Sequence, residues 1–464
     1  MRKNIYSKTD MELSELLKAN DIVIPKPCGE CRKCGKCKII LDGAVIPAFI
    51  DITVEKGQHL IEYNPAQKGQ ILEGEKWEIL PSTPERGCGV AVDLGTTTIV
   101  IKIFDLETGE QKHQYSAWNA QRVYGADVIS RIDYINNNHA LDELSNVIRK
   151  QVEDAISGYE VKKIFISGNT VMQHIFAGIN PHSIAIAPFK PESLFEDYED
   201  DLNGIPITYS PCVSGYVGGD ITAGILAAGL NEEEGKSLFL DIGTNGEMAI
   251  GGKDGFICCA VASGPAFEGA GISCGMPGLV GAISHASIED GELVLETIGD
   301  GEAEGICGSG LIDLLSVLKQ MGKMDETGRL SENDVKFTDR VSLTQADVRE
   351  LQLAKAAVRA GIAVLMNEIK VSFEDIKKLY ICGGFGTYLD AKSAAEIDMI
   401  PIELEDRCVQ LGNTSLKGAS LALMRDEELG KLHLIADKCQ YLELSGNAMF
   451  DDEFVEHMIL GEDT

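Results

Sequence analysis

Apolar positions along this chain follow two rhythms, and both recur in the same order in two long stretches. Gly89-Val-Ala-Val-Asp93-Leu-Gly-Thr-Thr-Thr-Ile-Val-Ile-Lys-Ile103 reads as a buried strand, a tight glycine turn and a second strand. Ser237-Leu-Phe-Leu-Asp241-Ile-Gly-Thr-Asn-Gly-Glu-Met-Ala-Ile250 repeats that shape. A second pair follows. Lys163-Ile-Phe-Ile-Ser167-Gly-Asn-Thr170 and Lys378-Leu-Tyr-Ile-Cys382-Gly-Gly-Phe-Gly386 are each a strand running into a loop. A helical period over 141–158, 170–178, 220–230, 309–321, 344–370 and 415–428 predicts helices in the gaps. Strands first, then alternating helices and strands, given twice, predict two mixed α/β lobes facing each other across a cleft. Their expected bounds are 88–235 and 236–464.

The front of the chain has a different texture. Residues 1–24 read as a lead-in with one short helical pattern (Met11, Leu13, Leu16, Leu17). Residues 25–81 read as a small β-rich unit. In it, Cys37–Leu41 and Val45–Val54 are strands joined by the hairpin signal Asp42-Gly43. Residues 82–87 are the expected linker.

Composition narrows the function. The 464 residues suffice for two or three domains. A net charge of −32 excludes a nucleic-acid partner, because phosphate contacts need a basic surface. It favours a protein partner with a basic docking face. Met1 to Asn20 lacks an apolar leader segment, and no stretch approaches 18 apolar residues, so neither secretion nor a membrane span is expected. A reducing cytoplasm is the expected location, and the 13 cysteines are read as thiols or ligands rather than disulfides.

Four of those cysteines fall in ten residues: Cys28, Cys31, Cys34 and Cys37. Thiolates this close can hold an iron–sulfur cluster. The subset Cys28-x5-Cys34-x2-Cys37 is near the plant-type ferredoxin loop, whose fourth ligand is distant. Cys31 and Cys88 are both candidates for that fourth thiolate, and both 4Fe–4S and 2Fe–2S clusters remain open. A structural zinc is the bland alternative. It usually takes two cysteine knuckles separated by roughly 12–20 residues, which fits four ligands in one loop poorly.

The glycine turns point to phosphate. Gly95 and Gly243 let backbone amides approach phosphate oxygens, and Thr96, Thr97, Thr98, Thr244, Asn245 and Gly246 would line them. Asp93 and Asp241 close the first strand of each lobe, where a carboxylate can hold Mg²⁺ through water or orient an attacking water. Gly383, Gly384, Phe385 and Gly386 would let the backbone pack under an adenosine. One such turn is a common hairpin feature, whereas two at matching positions with a third glycine loop are specific together. Glu268 reads either as a cleft residue or as part of a turn. His174 reads as a packed histidine, and Cys382 as a small core residue.

This constellation resembles the sugar-kinase/Hsp70/actin superfamily of two ribonuclease-H-like lobes. The resemblance makes Asp93–Thr98 phosphate loop 1, Asp241–Glu247 phosphate loop 2 and Gly383–Gly386 the adenosine loop. Further segments are similar to one family, the ATP-dependent reductive activators of corrinoid proteins. They are Gly168-Asn-Thr-Val-Met-Gln-His174, Ser263-Gly-Pro-Ala-Phe-Glu-Gly269, Ile306-Cys-Gly-Ser-Gly-Leu311, Tyr441-Leu-Glu-Leu-Ser445 and Phe454. That resemblance implies ATP, Mg²⁺ and an iron–sulfur cluster as cofactors, with single electrons returning a corrinoid cobalt from Co(II) to Co(I). It also implies an electron donor that the sequence does not identify, and a homodimer. An activator of 2-hydroxyacyl-CoA dehydratases, or a kinase or scaffold with a structural zinc, are the competing readings.

Overall fold

Two six-stranded sheets carry the duplicated pattern in this computed structural model, which describes residues 2–20, 22, 38–47, 52–62, 77–243, 245–383 and 388–461. Cys28, Cys31, Cys34, Cys37, Thr244, Gly384, Phe385 and Gly386 lie outside the described residues. In lobe I five strands of the sheet are β1 (Cys88–Leu94), β2 (Thr98–Asp105), β3 (Gln111–Trp118), β4 (Val161–Gly168) and β5 (Ile205–Tyr209), and the short Asp200–Leu202 strand pairs with β5 as the sixth. They lie in the order β3-β2-β1-β4-β5, with β1 to β3 antiparallel and β4 and β5 parallel to β1. Lobe II repeats the five-strand order with β6 (Lys236–Ile242), β7 (Gly246–Gly252), β8 (Gly255–Val261), β9 (Ile376–Cys382) and β10 (Cys408–Gly412), ordered β8-β7-β6-β9-β10, and Cys439–Tyr441 adds a sixth strand beside β8. This is the ribonuclease-H-like order in each lobe, and the expected duplicated α/β fold is the one observed. The central strands read as unbroken apolar runs because helices cover both faces of each sheet.

The predicted helices form with small shifts of their ends. They include α1 (Thr170–Ala177), α2 (Gly219–Ala228), α3 (Gly308–Gln320) and α4 (Gln345–Ile369). The helix expected over 415–428 instead breaks in two at Arg425, whose backbone is extended. Helix α5 (Thr414–Met424) ends there, and α6 (Asp426–Lys438) starts with Asp426, Glu427 and Glu428 in its first turn. Acids suit the positive end of a new helix, which explains the break. One further helix, α7 (Ala448–Glu456), closes the C-terminal segment.

Helices α2 and α5 cross between the lobes. A Cβ at Gly418 would stand 2.1 Å from the Ala223 carbonyl oxygen, so the two backbones touch and only glycine fits. One core runs through the crossing, from Phe165 of lobe I through Ala223 to Phe239, Leu416 and Ala419 of lobe II. Among the described residues no helix is long and apolar enough to cross a membrane.

The front unit differs from the expectation. The first residues are not a separate lead-in: Arg2–Ser7 pairs with Gly57–Glu62, which pairs with Lys38–Leu41, which pairs with Ala44–Pro47. A helix over Leu13–Ala19 buries Leu13, Leu16 and Leu17 against Ile5, Ile39, Val54 and Ile61. The hairpin turn is as read, with Asp42 and Gly43 both at positive φ. The linker also begins earlier than expected. Residues from Trp77 onward already lie on lobe I, with the Ile79 amide donating to the Gly109 carbonyl at 3.1 Å.

One buried charge cluster ties α4 to the C-terminal segment. The Asp398 carboxylate accepts from Lys355 Nζ (3.1 Å), Arg359 Nε (2.9 Å) and His457 Nδ1 (2.7 Å). Burial alone would raise the Asp398 pKa, but the His457 bond and the Lys355 and Arg359 charges outweigh it and hold it down to about 2. At pH 7, Asp398→Asn leaves two buried cations without their counter-charge and costs about 3 kcal/mol. In a thermal melt that is a fall of roughly 6–12 °C for the 236–464 body. A depressed carboxylate stabilises above its unfolded pKa, so the difference shrinks as pH falls from ~4 toward about 2. A melt indifferent to the substitution would contradict this role.

Candidate nucleotide site between the lobes

The first wall of the cleft grows from β1. Asp93 stands near its C-terminal end, and the chain then turns at Gly95, where a Cβ would lie 2.7 Å from the Thr98 carbonyl oxygen. The turn is braced from behind. Asn119 Nδ2 donates to the Gly95 carbonyl at 2.8 Å, and Asn169 Nδ2 donates to Thr96 Oγ1 at 2.9 Å. Asn169 also caps α1 by accepting from the Met172 amide. The Gly168-Asn169-Thr170 segment therefore positions the turn. The fully buried Arg131 donates to the Thr96 carbonyl, to the Gly125 carbonyl (3.1 Å) and to Gln121 Oε1 (3.3 Å). Its partners are neutral acceptors, and burial lowers its pKa to about 9.

The second wall grows from β6. Asp241 stands near its end, the Gly243 amide donates to the Asn245 carbonyl at 3.0 Å, and Ser263 Oγ holds the Gly243 carbonyl at 3.1 Å. Gly383, at the end of β9, has φ +88°, and a Cβ there would stand 2.7 Å from Asp241 Oδ1. Gly383, which begins the third glycine loop, thus lies directly against the Asp241 carboxylate. The two walls are bonded to each other. Thr97 Oγ1 donates to Glu268 Oε2 at 2.9 Å. Asp93 of lobe I accepts from Asn413 Nδ2 (2.7 Å) and Ser415 Oγ (2.8 Å) of lobe II.

The structure gathers more carboxylates than the sequence reading did. Asp220, in the first turn of α2, and Glu247, on β7 opposite Asp241, join Asp93, Asp241 and Glu268. Burial raises Asp220 to about 8, helped by the charges of Asp241 and Asp93. Burial raises Asp241 to about 7, helped by Asp93 and Glu268. Glu247 is pushed well up by burial and by Asp220 and Asp241. Asp93 is also raised by burial, against the opposing bonds of Ser415 and Asn413. Asp220 had one visible signal, an acid directly after Gly218-Gly219 at the start of a predicted helix. Asn413 and Ser415 had none.

Such a cluster fits a divalent cation accompanied by phosphates. Among the described residues no three His, Cys, Asp or Glu side chains are close enough to hold a metal directly. Mg²⁺ keeps several of its own waters and can face carboxylates through them. The other loop residues behave as read. His174 is buried, with Nδ1 bonded to the Thr170 carbonyl and Nε2 accepting from the Ser193 amide, and Cys382 is fully buried. The nine described cysteines are free thiols. Cys88 packs into the lobe I core, where burial raises its thiol pKa.

Known proteins place this architecture. A family model described as the C-terminal domain of RACo, the ASKHA domain, matches residues 235–464, and one described as the RACo middle region matches 88–233. The corrinoid activation enzyme RamQ of Eubacterium limosum is 31% identical over 420 residues, covering 81% of this chain and 70% of RamQ. The chain belongs to the RACo family of corrinoid activators. A second relative of this RACo-family chain, the reductase of a Co(II) methylated amine-specific corrinoid protein from Methanosarcina barkeri, is 26% identical over 75% of this chain and 72% of its own length. The solved structure of a reductive activator for a corrinoid, iron–sulfur protein is 28% identical with a TM-score of 0.74, covering 98% of this chain and 96% of that one.

The electrostatics of the RACo-family cleft can be tested without ligand. A carboxylate raised on folding costs stability as pH rises from its unfolded value, ~4, to its folded value, about 8 for Asp220. Asp220→Asn removes that cost. The nucleotide-free variant is expected to melt above the wild type at pH 8 and to gain less at pH 5. Equal gains at both pH values would show that the Asp220 charge is not the source of strain.

Proposed function

We propose that this chain is an ATP-dependent reductive activase that returns a corrinoid protein's cobalt from Co(II) to Co(I). One observation carries the proposal. An ASKHA-type cleft whose two walls both present carboxylates and glycine turns sits on the same chain as four cysteines in ten residues. Asp93, Gly95, Thr96, Thr97 and Thr98 form one phosphate cradle. Asp241, Gly243, Thr244, Asn245 and Gly246 form the other, and Gly383–Gly386 lies under the adenosine. Asp93 and Asp241 hold Mg²⁺ through water, and Asp220 orients the water that attacks the terminal phosphate.

Cys28, Cys31, Cys34 and Cys37 hold the iron–sulfur cluster, which when bound supplies a one-electron carrier. The substrate is the partner's Co(II), and an external donor of low potential restores the electron. Each ~59 mV of uphill transfer costs ~1.4 kcal/mol. ATP supplies this by changing how the partner is held. A homodimer in a reducing cytoplasm is the setting proposed.

Protein purified without oxygen is expected to contain iron and sulfide near one cluster per chain, and Cys34→Ala is expected to lose them. Mixed with a Co(II) corrinoid protein, a reductant and Mg·ATP, the wild type is expected to give the Co(I) absorbance, and Cys34→Ala is not. Zinc without sulfide, or Co(I) formed at the same rate without ATP, would overturn the assignment.

A further inference from the structure

Helix α5 has one end in the cleft and the other on the segment that leads to the front unit. At the cleft end, Asn413 and Ser415 take both carboxylate oxygens of Asp93. Ser415 Oγ also lies 3.0 Å from Ser167 Oγ at the end of β4. The other end meets residues 77–87. The Ser82 amide donates to the Met424 carbonyl at 3.0 Å, and Arg425 Nε donates to the Leu80 carbonyl at 3.2 Å. Ser82 Oγ donates to Glu427 Oε2 at 2.7 Å while accepting from the Asp426 amide at 3.2 Å.

Residues 77–87 are fastened to lobe I as well. The Glu85 amide donates to the Leu106 carbonyl (3.1 Å), and the Leu106 amide donates to the Gly87 carbonyl (3.0 Å). The Trp77 ring lies 3.3 Å from Lys102 Nζ, a lysine 2% exposed in the middle of β2. A Cβ at Gly109 would stand 2.2 Å from the Ile79 carbonyl oxygen, so the strap lies flat on the β2–β3 turn. The strap therefore spans the two lobes, and the front unit lies N-terminal to it in the chain.

We propose that α5 and the 77–87 strap transmit the state of the nucleotide cleft to the front unit. This inference rests on the nucleotide reading above. A cation–phosphate ligand that engages Asp93 competes with Asn413 and Ser415 for its oxygens. Helix α5 then gains freedom to move against lobe I. Its 11 residues are mostly buried and move as a rod, roughly 16 Å long. The displacement therefore reaches Met424 and Arg425. A strap bonded to lobe I at one set of residues and to the α5–α6 junction at another cannot follow both. It either shifts or releases one set, and the front unit is repositioned. Both lobes thus bias one discrete element, which is the physical requirement for coupling between distant sites.

Hydrogen exchange of the full-length protein tests this. With a non-hydrolysable ATP analogue and Mg²⁺, amides within 77–87 of the wild type are expected to change their exchange rate at least several-fold. In Ser82→Ala/Arg425→Ala, which loses three of the strap's contacts to lobe II, the change is expected to fall by half or more. Nucleotide affinity, measured by calorimetry, is expected to stay within about threefold of wild type. A wild type that binds the analogue with no change in the strap would overturn the coupling and leave the nucleotide site standing. So would a double variant with the full response. A wild type that binds no nucleotide overturns the nucleotide reading and the coupling with it. The wild-type comparison stands even if the variant does not fold.

Discussion

Burial of several carboxylates at the floor of one cleft is the constraint on which this structure turns. Asp93, Asp220, Asp241 and Glu247 are brought together from β1, α2, β6 and β7, and none forms an ion pair among the described residues. Their pKa values are all raised, by burial first in each, with neighbouring carboxylates adding to it at Asp220, Asp241 and Glu247. A fold does not concentrate like charges for stability, since each costs free energy that the rest of the domain must offset. The arrangement becomes favourable once a divalent cation supplies the missing positive charge.

The surrounding architecture holds that cluster together. Two lobes with the same strand order present the same end of the same strand to a common centre. The contact of α2 with α5 through Gly418 keeps the lobes close enough for Asn413 and Ser415 to reach Asp93. Polar side chains that bridge the lobes are the weak part of the assembly, and the apolar crossing behind them is the strong part. Such a division allows small angular changes at the cleft without loss of the common core. It also places the polar bonds between the lobes at the mouth of the shared centre.

Much of this was legible in the sequence because the duplication is written in local patterns. Apolar runs ending in Asp93 and Asp241 fixed the two central strands, and the glycines after them marked turns whose geometry excludes a side chain, as at Gly95. Other features arise only from tertiary contact. Asn413 and Ser415 meet Asp93 across some 320 residues of chain, so no local pattern announces them. Arg2–Ser7 is too polar to read as a strand, and its pairing with Gly57–Glu62 supplies what its composition lacks. Helix α5 was read too long because the break at Arg425 depends on the acids that start α6. Trp77 carried no signal by itself. Its partner did: Lys102 interrupts the apolar run Ile99-Val-Ile-Lys-Ile103, and a lysine in a buried strand asks for a partner.

The most direct measurement of the central claim is the affinity for ATP with and without a divalent cation. Calorimetric titration of ATP into the protein in Mg²⁺ and then in excess chelator compares the two directly. The account predicts binding in Mg²⁺ that weakens by about a hundredfold or more in chelator, roughly 2.7 kcal/mol, because the triphosphate then faces uncompensated carboxylates. Equal affinity in both conditions would mean that the carboxylate cluster does not govern the cleft.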